Sequence, residues 1–353
     1  MTKRLVSGVV VLASVMLVCG LGGCKKTGES SATPPLVSLE TWDNIEKMDG
    51  KFCVSLGWEE NESGQRQKKG FEDAFKVFGG EPTFANANYD PKKQSEQIDA
   101  FIEMKPRAIF ITPSDPAGIT QACQRAVDAG IPIFIADAIV AGVPATTSIC
   151  SSDFRMGAWT MDYIARHLKG KGNIAMIDLP ENEAWDLRGQ GARFALMEYP
   201  DIKVVQVHHH DSQTSISPLQ AVESMLAAHP KGKLDAIWCA WDGAAQEGAE
   251  AIETAGRADE IITTGIDGGK HAFEIIKKGG PFKVTMAQSI YYMSFMDVYY
   301  AYLHLKGKQA PRFVISPVFA VDKAKLDALD AKFKPEDYDV PGNAAKFGWT
   351  PEL

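Results

Sequence analysis

Asp137 and Asp267 each end an apolar run, at 131–137 and 261–267, in a sequence of 353 residues. A carboxylate placed there can accept hydrogen bonds from two adjacent hydroxyls of a polyol, a geometry that a neutral acceptor matches less well. Arg188 follows Asp178 and a loop, near the start of a helical pattern, and offers several fixed donors to hydroxyl or ring oxygens. Gln288 and Thr112, at or just after the ends of other strands, can both donate and accept. Trp58, Trp185 and Trp241 fall at strand-to-helix junctions, where a flat ring can stack on sugar C–H groups. Taken singly, an Asp at a strand end reads as a helix N-cap, an Arg as a surface ion pair and a Trp as core. Their recurrence at corresponding topological positions points instead to non-covalent recognition of a small hydroxylated molecule.

Support for catalysis is thin. The sequence has no G-x-S-x-G elbow, H-E-x-x-H helix or P-loop, and Gly189-Gln190-Gly191 lacks the third glycine of a dinucleotide fingerprint. Asp137 and Asp267 resemble a glycosidase pair only in being two carboxylates, since nothing marks one as acid and the other as nucleophile. His208-His209-His210 invites a metal, but consecutive residues of a strand alternate sides, so the three do not readily face one ion. The expectation is a protein that is not an enzyme, with no cofactor and no bound metal.

The elements that must position these residues alternate in kind. Short apolar runs at 52–56, 83–88, 108–112 and 131–137 read as strands, separated by helical spacing such as Phe71, Ala74, Phe75 and Phe78, which Gly79-Gly80 closes. The rhythm restarts with a helix at 156–168 and strands at 173–178, 202–207, 236–240, 261–267 and 282–287. A long helix at 289–305 then leads to a last strand at 312–321. Continuously apolar strands alternating with helices imply parallel sheets covered on both faces, and in such sheets ligands lie beyond the carboxyl ends of the strands. Two such arrays with polar edges facing each other would form a polar cleft.

Hydrophobic residues make up 45% and charged residues 23% of the chain, the balance of a globular protein of about two domains. With 37 Lys+Arg against 45 Asp+Glu the formal charge is −8, and basic residues run at most in pairs, which argues against nucleic-acid partners. Lys3 and Arg4 precede an apolar stretch at 5–18, too short to span a bilayer comfortably, and Leu21-Gly22-Gly23-Cys24 follows. That pattern resembles the lipobox of bacterial lipoproteins, with Cys24 the lipidated residue and 1–23 a signal peptide. Residues 24–50, polar and with Pro34-Pro35, read as a flexible tether. Cys53, Cys123, Cys150 and Cys239 show no metal-ligand spacing and read as buried thiols, with a disulfide left open.

The ordered set 109–115, 129–137, Arg188-Gly189-Gln190-Gly191, 238–245, Thr264-Gly265-Ile266-Asp267-Gly268 and Met286-Ala287-Gln288 resembles the type 1 periplasmic sugar-binding proteins of ABC transporters. The likeness spans roughly residues 51–321. It implies an α/β fold of two Rossmann-like lobes joined by a three-crossover hinge. The N-terminal lobe would be 51–152 plus 289–315, the C-terminal lobe 153–288 plus 316–330, and 331–353 a tail. On matching positions, Asp137, Arg188, Asp267 and Gln288 are implied ligand contacts, and Thr112 stands where the family often has Asn. Trp241 replaces an Asn, and Ala138 stands where an Arg often follows the first Asp. Trp58 or Glu60 would supply the wall after the first strand, Trp185 another aromatic face, and Gln213 belongs to the region replacing a second wall.

The resulting expectation is a lipid-anchored, monomeric binding protein, exported to the periplasm or cell surface, that traps a small sugar or polyol by hinge closure. An ABC permease is the implied partner. A chemoreceptor or sensor kinase is the alternative reader, and a surface carbohydrate hydrolase a remoter alternative. Asp267→Ala and Arg188→Ala are each expected to weaken binding and leave the fold intact.

Overall fold

Uninterrupted apolar strands are stable only when both faces are covered, and that requirement organises this chain. The computed structural model describes Trp42 and residues 45–180, 182–211 and 216–352; the signal-peptide, Cys24 and Gln213 expectations fall outside these. The first array runs β1 (Met48–Leu56), α1 (Glu62–Phe78), β2 (Gly79–Asn86), α2 (Pro91–Glu103), β3 (Ile109–Thr112), α3 (Thr120–Asp128), β4 (Ile133–Ala136) and β5 (Thr147–Cys150). The second runs α4 (Asp153–His167), β6 (Lys171–Asp178), α5 (Glu183–Leu196), β7 (Asp201–His209), α6 (Pro218–Ala228), β8 (Ala236–Cys239), α7 (Asp242–Thr254), β9 (Ile262–Asp267), α8 (Lys270–Lys278) and β10 (Phe282–Gln288). The chain closes with α9 (Ile290–Leu305), β11 (Phe313–Ile315), β12 (Val318–Asp322), α10 (Lys323–Asp327) and α11 (Asn343–Lys346).

Two six-stranded sheets result, ordered β11-β5-β4-β3-β1-β2 and β12-β10-β9-β8-β6-β7. The first is parallel throughout, whereas β12 joins the second antiparallel to β10. The single strand read at 312–321 is in fact two: β11 extends the first sheet and β12 the second, with Ser316-Pro317 between them. Proline has no N–H for a ladder, so the pairing breaks where the chain changes lobes. The chain passes between lobes at 151–152, at Ser289 and at 316–317. The three passages are tied by short side chains. Ser151 Oγ and Ser316 Oγ lie 3.0 Å apart, and Ser289 Oγ donates to the Pro317 carbonyl at 2.6 Å.

In the first lobe, α9 is largely buried, packing Phe295 and Tyr299 against Phe78 and Trp42, with Tyr291 stacked on Phe295. The flexible tether therefore cannot extend to residue 50: Trp42 is buried and Met48–Gly50 already belong to β1. Cys53, Cys123, Cys150 and Cys239 are free thiols, and burial pushes the Cys53 thiol up to about 11 and the Cys123 thiol up to about 12, which leaves them unreactive.

The tail is an ordered strap. Trp349 is buried against Phe273, Phe319 and Tyr338, and the Glu352 backbone pairs with Val318. From this strap Asp339 reaches the first lobe, where it pairs with Arg66 of α1 and accepts the Tyr291 N–H at 2.8 Å. Trp349→Ala should lower unfolding stability by ~3–5 kcal/mol in denaturant titrations, the range for emptying a buried Trp site. A loss under about 1 kcal/mol would show that the strap is not part of the core.

Candidate functional site

Asp137 follows β4 in the left-handed region (φ 67°), and Asp267 ends β9 at φ 136°. Non-glycine residues adopt such angles only where the surroundings impose them, and Asp tolerates them better than most. Gly268 and Gly269 continue with positive φ, and the turn is pinned by Asp242, whose Oδ2 accepts the Gly268 N–H at 2.8 Å. Burial, and then the neighbouring Asp267, pushes the Asp242 carboxyl up to about 8.

Arg188 is 3% exposed and reaches its place through glycine. Gly157 of α4 lies against the Arg188 carbonyl and Gly191 of α5 against the Phe154 carbonyl, closer than any Cβ permits. The two helices thus pack backbone to backbone. This brings Asp153, in the first turn of α4, onto Arg188 Nε at 2.9 Å. Arg188 Nη1 donates to Asp267 Oδ1 and to the Ala240 carbonyl, each at 2.9 Å. Gln288 Nε2 donates to the same Asp267 oxygen at 2.9 Å. Asp153 was not singled out in the sequence, because its partner is distant in the chain.

Asp137 comes from the other lobe yet feels this cluster. Burial, together with the Asp153 and Asp267 carboxylates, raises it to about 7, and Arg188 opposes the rise. Its Oδ2 accepts from Gln67 Nε2 of α1 at 3.2 Å. The lobes also touch directly: Glu62 Oε1, in the first turn of α1, accepts the Lys270 N–H at the start of α8, 2.6 Å away. A carboxylate at a helix N-terminus is favoured by the unpaired N–H groups there. These contacts describe a closed cleft.

Two of the sequence candidates, and one further strand-end acid, lie elsewhere or are occupied. Thr112 is fully buried and its hydroxyl faces the Gly57 N–H at 3.3 Å, so it shapes the turn after β1. Glu60 is exposed and held by the Glu59 N–H and Asn86. Asp178, a strand-end acid, is taken up by Arg193 and His209, each at 2.6 Å. The aromatic candidates form two groups. Trp58 stacks on Tyr89 at 5.7 Å, nearly parallel. Trp241 lies 6.1 Å from Trp185 and 5.3 Å from His210, which itself lies 6.0 Å from His208. The indole N–H groups of Trp58 and Trp185 are buried and unpartnered within the protein, as is Gln67 Oε1. Tyr89 and Gln67 carry no sequence pattern of their own, and only the fold brings them here; His210 belongs to the histidine run noted in the sequence, which here lines an aromatic group.

Two parallel-sheet lobes, crossed three times and meeting at polar strand ends, define a hinged solute-binding architecture. The family model for the periplasmic binding protein domain matches residues 52–309, and the chain belongs to that family, in its type 1 sugar-binding form. It is 26% identical to the ribose import binding protein of Bacillus subtilis, over 78% of this chain and 84% of that one. A xylitol-binding protein of Mycolicibacterium smegmatis is 26% identical over 60% of each chain. A solute-binding protein of Bacillus halodurans, solved with bound myo-inositol, superposes with a TM-score of 0.72 at 25% identity, covering 82% of this chain and 99% of that one. Members of this family bind solutes rather than transform them.

The burial of Arg188 revises one expectation. Arg188→Ala would leave Asp153 and Asp267 facing each other without a cation, which typically costs ~3–5 kcal/mol, so the variant should lose stability as well as binding. Asp137 behaves oppositely. Its folded pKa lies above the unfolded value of 3.8, so ionising it penalises the fold. The penalty is absent well below pH 4, grows up to about pH 7 and is constant above. Asp137→Asn, which tolerates the same backbone angle, should therefore raise ligand-free stability by on the order of 1–3 kcal/mol at pH 8 and leave it unchanged near pH 3.5. Thermal melts across that interval check this; a variant less stable at pH 8 would contradict it.

Proposed function

We propose that this chain is the capture component of an ABC-type importer, closing its two lobes on a small sugar or polyol. The observation that carries this reading is the shared cluster of Asp137 from one lobe with Arg188, Asp267 and Gln288 from the other. In the closed form these groups exclude water, so each hydrogen bond to a hydroxyl strengthens. Trp58, Trp185 and Trp241 supply apolar faces for C–H groups, and the indole N–H donors add polar contacts at their edges. The relatives' solutes, ribose, xylitol and myo-inositol, are all compact and densely hydroxylated. Glu60 and Thr112 have supporting roles.

Titration calorimetry with pentitols, hexoses and cyclitols should find at least one ligand of micromolar Kd or better, about −8 kcal/mol. Asp267→Asn should weaken it by a hundredfold or more, as expected for losing a charge-assisted pair. Small-angle scattering should show the particle contracting on binding. A protein that binds none of these compounds, or that binds one without contracting, would refute the reading.

We further infer export and lipid attachment at Cys24, on the basis of Leu21-Gly22-Gly23-Cys24 and the basic, apolar segment before it. A single lipid holds the body near a membrane permease. Cys24→Ser should move the protein from the membrane fraction to the soluble fraction in a bacterial host; unchanged membrane retention would refute the anchor.

A further inference from the structure

Charge in the cleft does not balance. The groups that face Asp137 are Gln67 on α1, Cys150 at the end of β5, Asp153 on α4, Arg188 on α5 and Asp267 at the end of β9. With Asp137 itself counted, three carboxylates, Asp137, Asp153 and Asp267, stand against one guanidinium. That guanidinium is already ion-paired with two of them: Nε goes to Asp153, and Nη1 to Asp267 and a carbonyl. Ala138, next to Asp137, offers no charge. Asp137 is left with a neutral amide at 3.2 Å. The amide's own oxygen, Gln67 Oε1, is fully buried and unpartnered, a second acceptor beside the carboxylate.

A neutral polyol can donate hydroxyls to these acceptors, but it leaves the excess negative charge enclosed when the lobes shut. Enclosing an uncompensated charge is expensive, and the expense is relieved by a cation brought in with the ligand. A protonated amine matches these two acceptors in chemistry as well as in sign, because it carries three donors and no acceptor. We propose that the cleft is selective for a cationic polyol, a hydroxylated sugar, alditol or cyclitol bearing a protonated amine held between Asp137 and Gln67 Oε1. This inference rests on the polyol-binding reading of the same cleft and names its ligand class. The hydroxyls would meet Asp267, Gln288 and the indole N–H groups, while the ammonium supplies the counterion that the protein lacks.

The test is calorimetry at pH 8 on matched pairs: glucamine against glucitol, glucosamine against glucose, and an amino-deoxy-inositol against myo-inositol, with N-acetylglucosamine as the uncharged control of size. In at least one pair the amine should bind roughly tenfold tighter or more, the lower end of what a close, desolvated charge pair contributes. The preference should shrink as pH falls below about 7, where Asp137 takes up its proton. Asp137→Asn and Gln67→Leu should each reduce the amine's advantage, with Asp137→Asn abolishing it while the protein stays folded by thermal melt. If neutral members bind as tightly as their amines, the cation proposal fails and the polyol reading stands. If no member of any pair binds, both fail. An advantage that survives Asp137→Asn would also overturn the assignment.

Discussion

One guanidinium is the constraint around which the site is built. Arg188 is almost wholly buried, and a buried guanidinium is stable only if its donors find charged or carbonyl acceptors. It finds them on three different elements: Asp153 on α4, the Ala240 carbonyl after β8, and Asp267 at the end of β9. To bring α4 and α5 close enough, Gly157 and Gly191 must carry no side chain. To hold Asp267 at a positive φ, Asp242 must grip the following turn. The second lobe's binding face thus follows from satisfying one cation.

The first lobe answers with less. Asp137 sits at the equivalent strand end and also adopts a positive φ, but its protein partner is the neutral Gln67. The asymmetry separates two tasks. One face is preorganised by internal ion pairs, which makes it rigid and costs nothing further on binding. The other face keeps a carboxylate whose charge is disfavoured by its surroundings, so it gains most from whatever enters the cleft.

Much of the architecture was legible in the sequence because it is periodic. Apolar runs such as 108–112 and 131–137 contain their own signal, and Asp137, Arg188, Asp267 and Gln288 follow from where those runs end. What was not legible is pairwise. Residues 147–150 form a strand with too few residues to show a period, and 312–321 reads as one strand because nothing apolar distinguishes its two halves; Ser316-Pro317 is the only mark of the break. Asp153, Gln67 and Tyr89 matter through partners 35, 70 and 31 positions away or through a stacked ring, and no local pattern encodes such distances. Thr112 looked like a ligand contact because its position was right, but its hydroxyl is turned to the Gly57 N–H. The tail was opaque for the same reason: Trp349 and Asp339 acquire meaning only once Phe273, Phe319 and Arg66 surround them.

Opposing forces across the cleft explain how such a protein can be both open and closed. Asp137 faces Asp153 and Asp267 across the gap, and like charges resist the approach of the lobes. Glu62 of α1, accepting the Lys270 N–H at the start of α8, and Asp339 of the strap on Arg66 and the Tyr291 N–H, pull the other way. The serines at the crossings are tied by single hydrogen bonds, each worth only ~1 kcal/mol net, so the hinge itself sets no deep preference. A ligand shifts such a balance only by what it contributes in the closed state alone. Donors delivered between Asp137 and the Arg188 cluster meet that condition, because both faces reach them only when the lobes are together. On the proposed capture reading, binding and closure are one event, set by the carboxylate that Arg188 does not pair.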